Sequence, residues 1–133
     1  MLTALTLAVA IPLIAAAGAC ADPAIVAAGV QSVRHNGEVD HIVVGVTVKN
    51  LGTADESPSL LQSVEIFQDA TRVDRKGVQP LKAGASSTFQ YAFDRNRDAH
   101  ANSTRLRFEL HLIDPRRAVS DCSTGNDVFR VEI

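Results

Sequence analysis

Two cysteines, Cys20 and Cys122, and the run Asp94-Arg95-Asn96-Arg97-Asp98 are the first places to look for chemistry in this sequence. The run repeats the opening half of a calcium loop, D-x-N-x-D, which makes Asp94, Asn96 and Asp98 candidate metal ligands. A complete EF-hand loop needs Gly at its sixth position and a bidentate Glu at its twelfth. Those positions hold Ala99 and Arg105, and two arginines inside the run add opposing charge. A solvated interstrand loop is therefore the expectation there. His35 and His41 flank Asn36-Gly37 and are candidates for a two-ligand surface site, against the ordinary reading of exposed histidines. A blue-copper centre wants two His, a Cys and usually a Met. No His follows Cys122 and the only methionine is Met1, so that chemistry is excluded.

Hydrolytic chemistry finds no better footing. Ser, His and Asp all occur, but no G-x-S-x-G elbow and no phosphate-binding glycine loop appears. No catalytic residue and no cofactor is assigned. Arg105, Arg107, Arg116 and Arg117, supplemented by Arg95 and Arg97, form a local run of basic charge. Glu109, Asp114 and Asp121 lie among them, which suits a mixed solvated face. The formal net charge of −2 over 133 residues argues against a nucleic-acid surface, which needs a clustered basic excess.

The stretch Met1 to Ala21 carries no charged side chain, is rich in Leu and Ala, and ends in the small residues Ala17, Gly18, Ala19, Cys20 and Ala21. That is the pattern of a secretory signal peptide, and it is shorter than a membrane span. No Lys or Arg precedes the apolar run. Three fates of Cys20 follow. Cleavage after the A-x-A-like Ala19-Cys20-Ala21 removes it and leaves a chain starting at Asp22. Cleavage after Ala19, as in a lipoprotein, makes it a lipidated N-terminus, although Ala17 stands where the lipobox usually has Leu. Retention without lipid leaves it able to pair with Cys122. The domain limits read as a leader over 1–21, ending at 19 in the lipoprotein case, and one domain over 22–133.

The elements that must position these residues are strands. In His41 to Gly52, Ile42, Val44, Val46 and Val48 alternate with Val43, Gly45, Thr47 and Lys49 before Asn50 and Gly52 break the pattern. Alternation of β-branched residues marks a strand with one face in a core. Ahead of it, Ala24 to His35 reads as an edge strand with Val26, Val30 and Val33 as its larger apolar residues, joined through Asn36-Gly37, a hairpin signal. Further strands are expected over Leu61 to Gln68, Thr71 to Val78 (with Val73 and Val78 as contacts) and Ser86 to Asp94. Thr104 to Ile113 follows, with Leu106, Phe108, Leu110 and Leu112 inward, then a last strand through Phe129, Val131 and Ile133. About seven short strands without helical periodicity indicate an all-β antiparallel sandwich.

Several turn segments resemble one family. Val46-Thr47-Val48-Lys49-Asn50-Leu51-Gly52 is similar to the V-x-V-x-N-x-G signature of the cell-adhesion-related domain found in bacteria, CARDB. Leu81-Lys82-Ala83-Gly84-Ala85-Ser86 resembles its L-x-x-G-x-S turn. Ile113-Asp114-Pro115 to Val119, with Asp121 and Asn126-Asp127, resembles its D-P…V-x-E…N-N segment, with Asp127 in place of the second Asn. The resemblance covers about residues 24 to 133. It implies an immunoglobulin-like sandwich of about seven strands on an exported bacterial protein. It also implies that the N-terminus and the last interstrand loop share one end, so that a retained Cys20 could approach Cys122.

The expected function is accordingly a non-enzymatic immunoglobulin-like module for interaction or adhesion. Its partner would be an envelope or cell-surface protein or glycan, bound through the loops Leu51–Leu60 and Asp114–Asp127 or by strand addition at an edge. The competing expectation is a periplasmic ligand- or metal-handling protein using loop Asp and His residues. The expected location is the periplasm, the outer membrane through a lipid on Cys20, or the exterior. No membrane contact other than that lipid is expected.

Overall fold

The computed structural model describes residues 19–97, 103–119 and 121–133. Seven strands follow in order: β1 (Pro23–Asn36), β2 (Val39–Asn50), β3 (Leu61–Gln68), β4 (Thr71–Val78), β5 (Ser86–Asn96), β6 (Arg105–Ile113) and β7 (Val128–Glu132). One 3-10 turn, Thr124–Asn126, precedes β7. They form two sheets, β1-β2-β5 and β4-β3-β6-β7, with every pairing antiparallel. Among the described residues no helix is long and apolar enough to cross a membrane.

The core is the alternation made physical. Ile42, Val44, Val46 and Val48 of β2 are buried against Val64 and Ile66 of β3 and Leu106, Phe108 and Leu110 of β6, in one cluster with Tyr91 and Phe93 of β5. Leu112 is partly buried against the same cluster. Strand β2 lies between β1 and β5, and β3 and β6 occupy the centre of the other sheet, which is why their inward residues are the most apolar. The turn at Gly37 has φ +62, a left-handed conformation that glycine adopts without steric cost.

Three strands depart from the sequence expectation. In β1, register shifts between Ile25 and Ala27 and between Val30 and Ser32 interrupt the alternation. Ala24 and Ile25 are buried, whereas Val26 is exposed and Val30 and Val33 are each 46% exposed. Val30 and Val33 do face Val44 and Ile42 in register, but they stand on the free edge of a three-stranded sheet. In β4, Val78 is buried but Val73 is 42% exposed, because the register shift opposite Ile66 and Phe67 leaves Val73 unpaired and out of phase with the core-facing positions. Strand β5 runs to Asn96, two residues beyond Asp94, because Asp40 and Val39 of the long β2 continue to pair with Arg95 and Asn96.

Candidate functional site

The loop joining β2 to β3, the loop joining β6 to β7 and the N-terminal segment meet at one end of the sandwich. Asn50 organises this end. It is completely buried at the last position of β2. Its Oδ1 accepts from the backbone N–H of Asp22 and of Gly52, both at 3.0 Å, and its Nδ2 donates to the carbonyls of Ala54 at 2.9 Å and Leu81 at 3.1 Å. Its own N–H bonds Ala85 and its carbonyl accepts from Gly84. One carboxamide thus ties together the N-terminal segment, its own loop and the β4–β5 turn, where Gly84 has φ +77. A buried polar group is tolerable only when satisfied in this way.

Gly52 has a different task. A Cβ there would collide with the carbonyl oxygen of Cys20 and lie 2.6 Å from the nitrogen of Asp22. The N-terminal segment therefore crosses directly over this residue, and the N–H groups of Thr53 and Ala54 both point to the Cys20 carbonyl. Ala21 is buried beside it, and its carbonyl accepts from the N–H of Cys122. Cys20 and Cys122 are joined in a disulfide with a Cα–Cα separation of 5.9 Å.

Acidic groups crowd this end. Asn126 Nδ2 donates to Asp22 Oδ1 at 3.1 Å. Asp127, partly buried nearby, has its pKa raised to about 7, by loss of hydration first and then by its hydrogen bond with Asp121 and the charges of Asp121 and Asp22. Glu56 is 6% exposed and burial pushes its carboxyl upward, against the bonds it accepts from the Leu81 N–H and from Gln62. Its second oxygen has no hydrogen-bond partner. A cavity of about 450 Å³ opens here, with Cys20, Glu56, Asp114, Arg117 and Val119 among its lining. Burial would raise Asp114, but bonds from the Ser59 hydroxyl and the Arg116 N–H hold it below the ordinary carboxylate range. The Ser59–Asp114 bond, 2.7 Å long, links the two loops directly.

The residues singled out for metal chemistry are distributed otherwise. His35 and His41 lie on opposite faces of their sheet, since His35 pairs with Asp40 and His41 with Arg34 in the β1–β2 register. They cannot share an ion, and the two-ligand reading is corrected on that ground. His41 Nδ1 instead bonds Asp94 Oδ1 at 2.6 Å across β2 and β5. His35 bonds Asp40, and that bond, with Arg97 beside it, keeps the Asp40 carboxyl low despite partial burial. Asp94 and Asn96 belong to an extended strand rather than to a coiled loop, and Asp98 lies outside the described residues. The basic run is also divided. Arg105 and Arg107 begin β6, whereas Arg116 and Arg117 follow its far end. One convergent group was missed in the sequence: Glu65, Glu109 and His111 bring ligand atoms within 4.8 Å of one another on the outer face of β3 and β6.

The same arrangement of strands occurs in solved structures. The CARDB domain of a Pyrococcus furiosus protein, solved in complex with di-metal ions, superimposes with a TM-score of 0.61 at 15% identity, over 86% of this chain and 92% of that one. The fold is CARDB-like. A Methanosarcina acetivorans domain, described as part of a cell surface protein, gives a TM-score of 0.56 at 22% identity, over 86% of this chain and 90% of its own. No family model and no curated protein matches the sequence. At these identities the likeness concerns the fold. Within that CARDB-like fold, Asn50, Gly52 and Gly84 hold the loop end together.

Proposed function

We propose that this protein is an exported, non-enzymatic interaction module whose contacts are made by the disulfide-locked loop end. The observation that carries the reading is the covalent and hydrogen-bonded closure of that end. Cys20–Cys122 clamps the N-terminal segment to the β6–β7 loop, and Asn50 clamps it to the β2–β3 loop. Loops held in one conformation lose little entropy on binding, which favours recognition over loops that must be ordered first. The cavity beside Glu56, Asp114 and Arg117 supplies a concave feature, mostly apolar with charged groups on its wall, for a protein or glycan partner of the envelope. The similar cell-surface domain from Methanosarcina acetivorans supports an extracellular setting.

A disulfide needs an oxidising compartment, which supports export. It also bears on processing. Cleavage after Ala21 would discard Cys20, and a thioether lipid would occupy the sulfur that the bridge uses. We therefore favour removal of the leader upstream of Cys20, with Cys20 retained and unlipidated. The test of the binding role is a quantitative pull-down from envelope extract. Wild type is compared with Glu56→Gln, Arg117→Ala and, as a remote control, Lys76→Ala on the edge strand β4. Loss of a specific partner with the first two and not the third supports the loop end. A partner retained by both loop variants and lost with the third moves the contact to the sheet edge.

A further inference from the structure

We infer that Glu65, Glu109 and His111 form a surface site for one divalent transition cation of the zinc class. Strands β3 and β6 place Glu65 directly opposite Glu109, on the face turned away from the core. Like charges in this position repel across the ladder, and the sandwich gains no core packing from either. Arginines lie beside one oxygen of each as ion-pair partners: Arg107 Nε is 2.9 Å from Glu109 Oε1, and Arg72 Nη1 is 3.5 Å from Glu65 Oε1. The other oxygens turn to His111, which follows Glu109 by two residues and so shares its face. His111 Nε2 is 3.5 Å from Glu65 Oε2 and 3.7 Å from Glu109 Oε2.

These separations are informative. An N–H···O hydrogen bond spans about 2.7–3.2 Å, so the imidazole nitrogen is too far from both oxygens for a good one. A tetrahedron with metal–ligand bonds of about 2.0–2.1 Å has edges of about 3.3 Å. The nitrogen stands close to that spacing from each oxygen, and the three ligand atoms all lie within 4.8 Å of one another, so small rotamer changes bring them around a common centre. The fourth corner opens to solvent, since the His111 side chain is 44% exposed. Imidazole with two carboxylates selects zinc-like ions over calcium and magnesium, which prefer an all-oxygen shell. Arg72, Arg107, Arg75 (bonded to Ser63 Oγ) and Arg130 (opposite Arg107) also surround the group. Their repulsion lowers the affinity of the site for a cation.

The test is calorimetric titration of the full oxidised chain with Zn²⁺, and separately with Co²⁺ followed by its visible tetrahedral absorption. Wild type is compared with His111→Ala, Glu65→Gln and the control His41→Ala, all checked for matching circular dichroism. One equivalent should bind, and His111→Ala and Glu65→Gln should each weaken binding about tenfold or more. His41→Ala should leave it unchanged. Absence of binding in wild type, or binding indifferent to both His111→Ala and Glu65→Gln, overturns the assignment.

Discussion

Consider replacing both cysteines by serine. The bridge joins residues separated by 102 positions, so it restrains almost the entire domain in the unfolded state. Chain entropy for a closed loop of about 100 residues gives about 4.7 kcal/mol at 25 °C. Domains of this size have total stabilities of about 5–15 kcal/mol, so the loss is a large fraction of what holds the fold. With a urea m-value of about 1.5 kcal/mol/M, the midpoint should fall by about 3 M. The native geometry should survive, because the segment around Asp22 keeps its bonds to Asn50 and Leu51 without the sulfurs. Equilibrium urea denaturation of Cys20→Ser/Cys122→Ser, monitored by tyrosine fluorescence and circular dichroism, measures the shift. The reduced wild type should match the double variant. A midpoint change under about 0.5 M would refute the reasoning, since it would mean that the bridge is absent or restrains nothing.

Two further perturbations probe the same end. Asn50→Ala removes four hydrogen bonds from a completely buried position. At about 0.5–1.5 kcal/mol for each bond it should cost about 2–4 kcal/mol in urea denaturation, allowing for partial rehydration. A cost under about 1 kcal/mol would contradict the role given to this carboxamide. The pH dependence follows from Asp127, whose pKa rises from 3.8 to about 7 on folding. Between those values the folded state holds a proton that the unfolded chain has released, so stability falls as pH rises from about 4 to about 7. Glu56, also raised, contributes in the same direction from its ordinary value upward. Melting temperature should therefore be higher at pH 5 than at pH 8, and Asp127→Asn should flatten the dependence. An unchanged slope in that variant would remove Asp127 as its source.

The sequence carried the interior well, because every second residue of β2 and of β6 states which face is apolar. Edge strands were harder to read. Strand β1 reads as a weakly patterned edge with Val26, Val30 and Val33 as its larger apolar residues, and its two register shifts leave Ala24 and Ile25 as the buried ones. Asn50 and Gly52 stood out as a turn motif, but their work is long-range. One satisfies the backbone of residue 22, and the other clears space for residue 20. No local pattern states that. The candidate ion site was invisible for the same reason. Glu65 and His111 lie 46 positions apart in number (111 − 65), and only the β3–β6 register places them side by side. The D-x-N-x-D run reads as a solvated loop, but its first two acceptors, Asp94 and Asn96, sit on strand β5, where His41 bonds Asp94.

The closed loop end, and with it the proposed binding role, requires Cys20 to remain in the finished protein and to be bridged to Cys122. Intact mass of the exported protein, taken before and after reduction, tests this directly. The expected result is a chain that includes Cys20, carries no lipid and gains two hydrogens on reduction. A chain beginning at Asp22, a lipid-sized addition on Cys20, or no change on reduction would contradict it.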